Sequence, residues 1–254
     1  MSASATYDAH GRGYARVRQP DPRIAAALRD ALDGCRTVLN VGAGAGSYEP
    51  SDLEVHAVEP SREMIRQRPA DAAPCTQGQA EALPFADGSF DATTAILTLH
   101  HWRDPRRGLA ELRRVSRRAV ILTWDPAVGD AFWLIRDYFP AIIEDDLRRF
   151  PPLSWFAEVW GLDPELRVVP VPHDCVDGFL GAYWRRPAAY LDPEVRRGIS
   201  SFYARPAERW APGLAALARD LEDGAWARRH GALLEREALD LGYRLVIARF
   251  DAAS

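Results

Sequence analysis

Lysine is missing from this chain: all 32 of its basic residues are arginine. So uniform a choice reads as genomic composition bias and not as a binding signature. Positive charge is not in excess either. The 36 acidic residues leave a formal net charge of −4, which argues against a protein whose main business is holding nucleic acid. Cysteine is scarce. Cys35, Cys75 and Cys175 are far apart and odd in number, with neither zinc spacing nor a disulfide framework. No run of about twenty apolar residues and no N-terminal apolar h-region occurs, so nothing indicates a membrane span or export, and a cytoplasmic location is expected. Repeats and low-complexity segments are absent too. What is present is 254 residues, 47% of them hydrophobic, enough for one α/β domain with a sizeable core, or one domain with a helical addition.

The most informative stretch is Val38-Leu39-Asn40-Val41-Gly42-Ala43-Gly44-Ala45-Gly46. Its apolar start reads as a buried parallel strand. The three glycines reach positive φ and carry no Cβ, so the backbone turns tightly and a ligand can lie against it. A second apolar run, Val55 to Val58, ends in Glu59. An acid at the tip of the neighbouring strand is where a nucleoside ribose presents its hydroxyls. A glycine-rich turn alone is common; strand, loop, second strand and terminal acid together describe a pocket for an adenosine-bearing molecule. A dinucleotide would need a long helix after the loop, its N-terminus facing the pyrophosphate. Here Pro50 limits that helix to about a turn. A phosphate-free nucleoside loses little by this, which favours S-adenosylmethionine over NAD.

Strand and helix signals alternate through the first half of the chain. Asp21 and Pro22 open a helix to about Asp33; Ser61 caps a short one that Pro69 stops; Asp104 and Pro105 begin another, to about Val115. Strands are expected at 38–41, 55–58, 75–77, 91–97, 119–123, 166–171 and 243–250. Two helical, aromatic insertions, about 127–160 and 173–240, are expected to cap the ligand side of the sheet. Most of their aromatics would form the cap's own core, and a few would face the ligand.

The glycine loop resembles motif I of the class I S-adenosylmethionine-dependent methyltransferases, in the small-molecule branch. Gln79-Ala80-Glu81-Ala82-Leu83-Pro84-Phe85-Ala86-Asp87-Gly88-Ser89-Phe90-Asp91, by itself an ordinary surface loop, resembles a stretch such enzymes carry before strand four. The first twenty residues read either as a frayed arm or as a lid, because Tyr14…Arg18-Gln19-Pro20 resembles the family's Tyr…Arg-x-Pro arm. The likeness runs from about Tyr14 to Pro126 and fades in the insertions. It implies a Rossmann-like, doubly wound α/β fold, a seven-stranded sheet with the last strand antiparallel. S-adenosyl-L-methionine would be held by Tyr14, Arg18, Gly42, Ala43, Gly44, Gly46, Glu59, Pro60, Met64, Gln79, Ala80, Glu81 and Leu97. Gln79 stands where the family has an acid for the adenine amine; its amide oxygen still accepts, more weakly. Asn40 likewise replaces an acid that often supports the loop.

Methyl transfer from a sulfonium is an in-line displacement that chiefly needs alignment and exclusion of water. An acceptor that begins protonated also needs a base, and His100 or His101, at the end of strand four, either serves as that base or lines the pocket. Trp102 and Trp124 either contact the small-molecule acceptor or wedge the cap against the sheet. Tyr183 and Trp184 are further acceptor-contact candidates, while His173 reads as structural. Asp125 with Glu144-Asp145-Asp146 lacks the adjacent Asp-Asn pair of a magnesium site, so no metal is expected and the acid cluster reads as a solvated face. The Asn/Asp-Pro-Pro-aromatic turn of nucleic-acid base methylation is replaced by His100-His101-Trp102. A rival reading keeps the cofactor pocket but catalyses a cyclisation or elimination.

Overall fold

The computed structural model describes residues 18–203 and 205–250. In chain order the strands are β1 Thr37–Val41, β2 Glu54–Glu59, β3 Cys75–Gln77, β4 Ala92–Ile96, β5 Arg118–Trp124, β6 Glu165–Val168, β7 Val171–Pro172, β8 Ala238–Leu239 and β9 Tyr243–Arg249. Seven of them form one sheet in the order β3-β2-β1-β4-β5-β9-β6, and β7 and β8 make a separate two-stranded ladder. Strands β1 to β5 pair in parallel, while β9 runs antiparallel to both β5 and β6. This is the expected Rossmann-like sheet with its last strand reversed. Its central strands are buried on both faces because both faces are covered.

Helix α1, Pro22–Ala31, begins where Asp21 accepts the Arg23 N–H at 3.0 Å, and it buries Ile24, Leu28 and Ala31 against one face. Helix α2, Arg62–Arg66, is capped by Ser61, whose hydroxyl accepts the Met64 N–H at 3.2 Å. Helix α3, Pro105–Val115, is capped by Asp104 and buries Leu109, Leu112 and Val115 on the opposite face. Each start is a side-chain acceptor satisfying an otherwise orphaned helical N–H, as the sequence signals require.

Three expectations change. No helix follows the glycine loop; residues 44–48 are turns, and Glu49 folds back beneath the loop, where a helix would carry it away. Strand β6 stops at Val168, short of Pro170, which cannot donate to a ladder. Val171 and Pro172 pair instead with Leu239 and Ala238. The first insertion also divides between two layers. Its helices α4 (Trp133–Tyr138) and α5 (Ala141–Arg149) lie on the ligand side with the second insertion, whereas α6 (Ser154–Trp160) packs under the sheet against α3. There the Trp160 indole N–H donates to the Leu109 carbonyl at 3.1 Å. The ligand-side insertions have their own aromatic core, with Trp133 ringed by Tyr138, Tyr190, Trp226 and His230. No described helix is long and apolar enough to cross a membrane.

Candidate functional site

The strand order turns between β1 and β4, and the carboxyl ends of these strands frame a cleft, the position at which open α/β sheets hold ligands. The glycine loop forms one wall. Gly42 and Ala43 both donate to the Val58 carbonyl, at 2.8 and 3.1 Å, which fastens the loop to β2. Gly42 has φ +71°, and a Cβ there would stand 2.2 Å from Thr98 Oγ1; only a residue without one lets the ends of β1 and β4 approach so closely. Two residues with side chains also take left-handed backbone at the cleft, Tyr48 (φ 62°) and Leu97 (φ 49°), a strained arrangement of the kind that clusters at ligand sites.

Asn40 does not leave the loop unsupported. Its amide accepts from Thr94 Oγ1 at 3.2 Å and donates to Glu49 Oε1 at 3.0 Å, and Glu49 is paired with Arg68 at 2.8 Å, all nearly buried. The acid missing at position 40 is thus supplied nine residues later.

Glu59 ends β2 with its side chain 5% exposed on the cleft wall. One carboxylate oxygen accepts the Gly44 N–H and the other the Ser61 N–H, both at 2.8 Å, so the acid links the glycine loop to the start of α2. The cleft has a volume of about 1030 Å³ including its open mouth. Of the residues expected to meet the cofactor, it brings together Arg18, Gly42, Ala43, Gly44, Glu59, Pro60, Met64, Gln79, Ala80, Glu81 and Leu97. Gly46 is not on its surface: with φ +95° it turns the loop above Arg68. Tyr14 lies outside the described residues. Ser47, Tyr48 and Thr98 also line the cleft, and sequence reading passed them over because none belongs to a glycine or acid signature.

A second chamber, about 500 Å³, adjoins the first and shares Arg18, Leu97 and His101 with it. The sheet edge contributes His100, Trp124 and Tyr243 to it, and the insertions contribute Asp146, Phe150, Phe179 and the segment 198–201. His100 stacks on Phe150 at 4.4 Å between ring centroids and lies 3.9 Å from the ring of His101. Burial, followed by the nearby charges of Arg149 and Arg18, lowers the His101 pKa to about 3 and also depresses His100, where the neighbouring His101 adds to the effect. Both imidazoles are neutral at pH 7.

Among the acceptor candidates Trp124 faces this chamber and donates its indole N–H to the Leu241 carbonyl at 2.7 Å. Trp102 sits in the first cleft instead, where its ring lies over Gly108 of α3. Trp184 is fully buried, its N–H engaged by the Val171 carbonyl at 3.0 Å, and Tyr183 packs on Arg186 and Tyr190; neither lines a chamber, because both belong to the core of the insertions. The acid cluster is not a solvated face throughout. Glu144 and Asp145 face arginines near the surface, but Asp146 is 2% exposed and reaches the chamber, and burial raises its carboxyl pKa to about 6. Among the described residues no group of three His, Cys, Asp or Glu side chains is placed to hold a metal, and Asp125 accepts the Ala127 N–H. His173 contacts Glu237 at the surface.

Asp177, 1% exposed, closes the wall between insertion and loop. It accepts from Arg18 Nε at 2.5 Å and from the Tyr48 hydroxyl at 2.9 Å, and the Tyr48 oxygen in turn accepts the Asp21 N–H at 3.2 Å.

Residues 39–123 match the family model described as a methyltransferase domain. A solved structure from Anabaena variabilis ATCC 29413, assigned to methyl transfer in an antibiotic biosynthesis pathway, is 35% identical and has a TM-score of 0.85, covering 92% of this chain and 99% of its own. The demethylmenaquinone methyltransferase of Renibacterium salmoninarum is 40% identical over 95 residues, 34% of this chain and 39% of that protein. The uncharacterized methyltransferase YcgJ of Bacillus subtilis is 34% identical over 92 residues, 32% of this chain and 36% of that protein. The chain thus spans less than two-fifths of the length of these two curated relatives.

Proposed function

Because the chain belongs to the class I S-adenosylmethionine-dependent methyltransferases, we propose that it transfers a methyl group to a small organic acceptor held in the second chamber. The observation that carries this reading is the pairing of two adjoining cavities, one walled by the glycine loop and Glu59, the other by aromatic side chains, with Leu97, Arg18 and His101 common to both.

The residues of the first cleft fit an adenosyl group better than a dinucleotide. Glu59 already occupies the Gly44 N–H with a negative charge, and no helix dipole follows the loop. A diphosphate would meet that carboxylate; ribose hydroxyls would donate to it. Gln79 and Ala80 would receive the adenine edge, Met64 and Pro60 would pack on the nucleoside, and Arg18 would face the amino-acid end. When bound, the cofactor supplies a sulfonium methyl. The protein's own part is to hold the acceptor in line and keep water out, with neutral His101 as a hydrogen-bonding group at the junction. The quinone-type substrate named for the Renibacterium relative supports a small acceptor, and the antibiotic pathway named for the Anabaena structure supports a place in secondary metabolism.

Incubation with methyl-labelled cofactor and a panel of small hydroxylated and amino acceptors tests the proposal. Label in an extracted small product is the expected result. A product formed without consumption of cofactor would replace methyl transfer by the cyclisation or elimination reading.

A further inference from the structure

Four buried side-chain polar atoms among the described residues have no hydrogen-bond partner: Arg68 Nη1, His100 Nδ1, Asp146 Oδ1 and Trp226 Nε1. Two of the residues that carry them, His100 from the sheet edge and Asp146 from α5, line the same chamber. Buried polar atoms are normally satisfied, and an exception calls for a specific explanation. Arg149 stands 3.7 Å from Asp146 Oδ1, close enough to offset its charge but beyond hydrogen-bonding distance.

We propose that Asp146 is the acceptor-recognising residue of the second chamber, and that the acceptor is a flat, uncharged compound whose hydroxyl donates to Asp146 Oδ1 while His100 Nδ1 meets a polar atom of the same ligand. The inference rests on the methyl-transfer reading of the adjoining cleft. Flatness follows from the walls, where Trp124, Phe150, Phe179 and Tyr243 present ring faces and edges. Neutrality follows from the charges. Asp146 is the single acid lining the chamber and Arg149 already stands beside it to offset its charge, so a cationic amine would meet the positive charges of Arg149 and Arg18 with no second acid to balance them. An anion would confront the carboxylate. A hydroxyl supplies the missing donor without adding charge, and a hydrogen bond to a carboxylate out of water is strong enough to select for it.

The test uses the full chain saturated with S-adenosylhomocysteine, and compares binding of β-naphthol with that of its methyl ether, which has the same rings and no donor. Calorimetry reads the affinity. β-Naphthol is expected to bind about tenfold or more tightly than the ether. Asp146→Leu, which leaves no acceptor at this position, should remove that preference, with affinity for S-adenosylhomocysteine unchanged as the check on folding. Equal affinity for the two probes, binding of neither, or a preference that survives Asp146→Leu would each overturn the proposal. Failure of S-adenosylhomocysteine itself to bind would instead overturn the cofactor reading; the naphthol pair is then compared on the unliganded chain and judged by the same outcomes.

Discussion

Replacing Asp146 by asparagine should stabilise the protein at alkaline pH and weaken it slightly in acid. The carboxyl titrates at about 6 where its ordinary value is 3.8. Burial is the largest cause; Arg149 and a Ser201 hydroxyl pull the other way, and Asp145 on the same helix adds to the rise. His100, His101, Arg18 and the Tyr243 phenol, itself kept protonated by burial, complete the charged and titratable groups around the chamber. A folded-state pKa above the unfolded one means that the native state holds the proton more tightly. The ionised form therefore carries a penalty that is complete above about pH 6 and disappears as the pH falls to 3.8. Two pH units at about 1.4 kcal/mol each set its size at about 3 kcal/mol. The carboxamide keeps the shape but brings an N–H₂ that itself needs a partner, which returns about 1 kcal/mol. The net expectation is a gain of about 2 kcal/mol at pH 8, read by urea denaturation, that turns into a loss of about 1 kcal/mol near pH 4. A variant that is less stable than the parent at pH 8, or a difference that does not change between pH 8 and pH 4, would refute the reasoning. The gain would also indicate that the native carboxylate is kept for its ligand at some expense of stability.

Two further outcomes follow from the first cleft and the histidines. Glu59→Ala removes the acceptor for the Gly44 and Ser61 N–H groups as well as the ribose partner, so S-adenosylhomocysteine should bind weaker by about 2 kcal/mol or more in calorimetry well below the melting temperature, and an affinity within about twofold of the parent would remove the ribose from this position. Acid should weaken the parent protein through His100 and His101, whose depressed folded pKa values keep them unprotonated while the unfolded chain takes up protons below about 6.5. Their contribution is present above that pH and lost as the pH falls towards about 3. His101 and Asp146 carry opposite slopes of about 1.4 kcal/mol per pH unit between pH 6 and 4, so the depressed His100 decides the sign: stability should fall as the pH drops below 6, and a flat profile would contradict its depression.

Local signals carried the first cleft. The glycines, the terminal Glu59 and the caps Asp21, Ser61 and Asp104 act through backbone geometry within a few residues, and each stands where local chemistry puts it. The second chamber was hidden because its walls come from segments far apart in the chain. Asp146 looked solvated beside Glu144 and Asp145, yet Ile142, Asp146 and Phe150 recur at every fourth position and all are buried. That fourfold spacing marks a buried helical face, on which the charge of Asp146 is an exception that charge density alone does not reveal. Tyr183 and Trp184 misled for the opposite reason: aromatic residues in an insertion fill its own core first, and no local feature tells which ring will turn to a cavity. Support of the loop by Glu49 could not be read either, since it depends on the chain failing to form a helix after Gly46.

The knot of Arg18, Tyr48 and Asp177 joins positions 159 and 129 residues apart. Its consequence concerns the order of assembly. The stretch that bears the recognisable motifs ends near residue 123, yet the wall of its own crevice is closed by a carboxylate synthesised more than fifty residues later. Excising the motif-bearing half would leave Arg18 and Tyr48 without the anion that fixes them, so two of the cleft's lining side chains depend on a part of the polypeptide that carries none of its motifs.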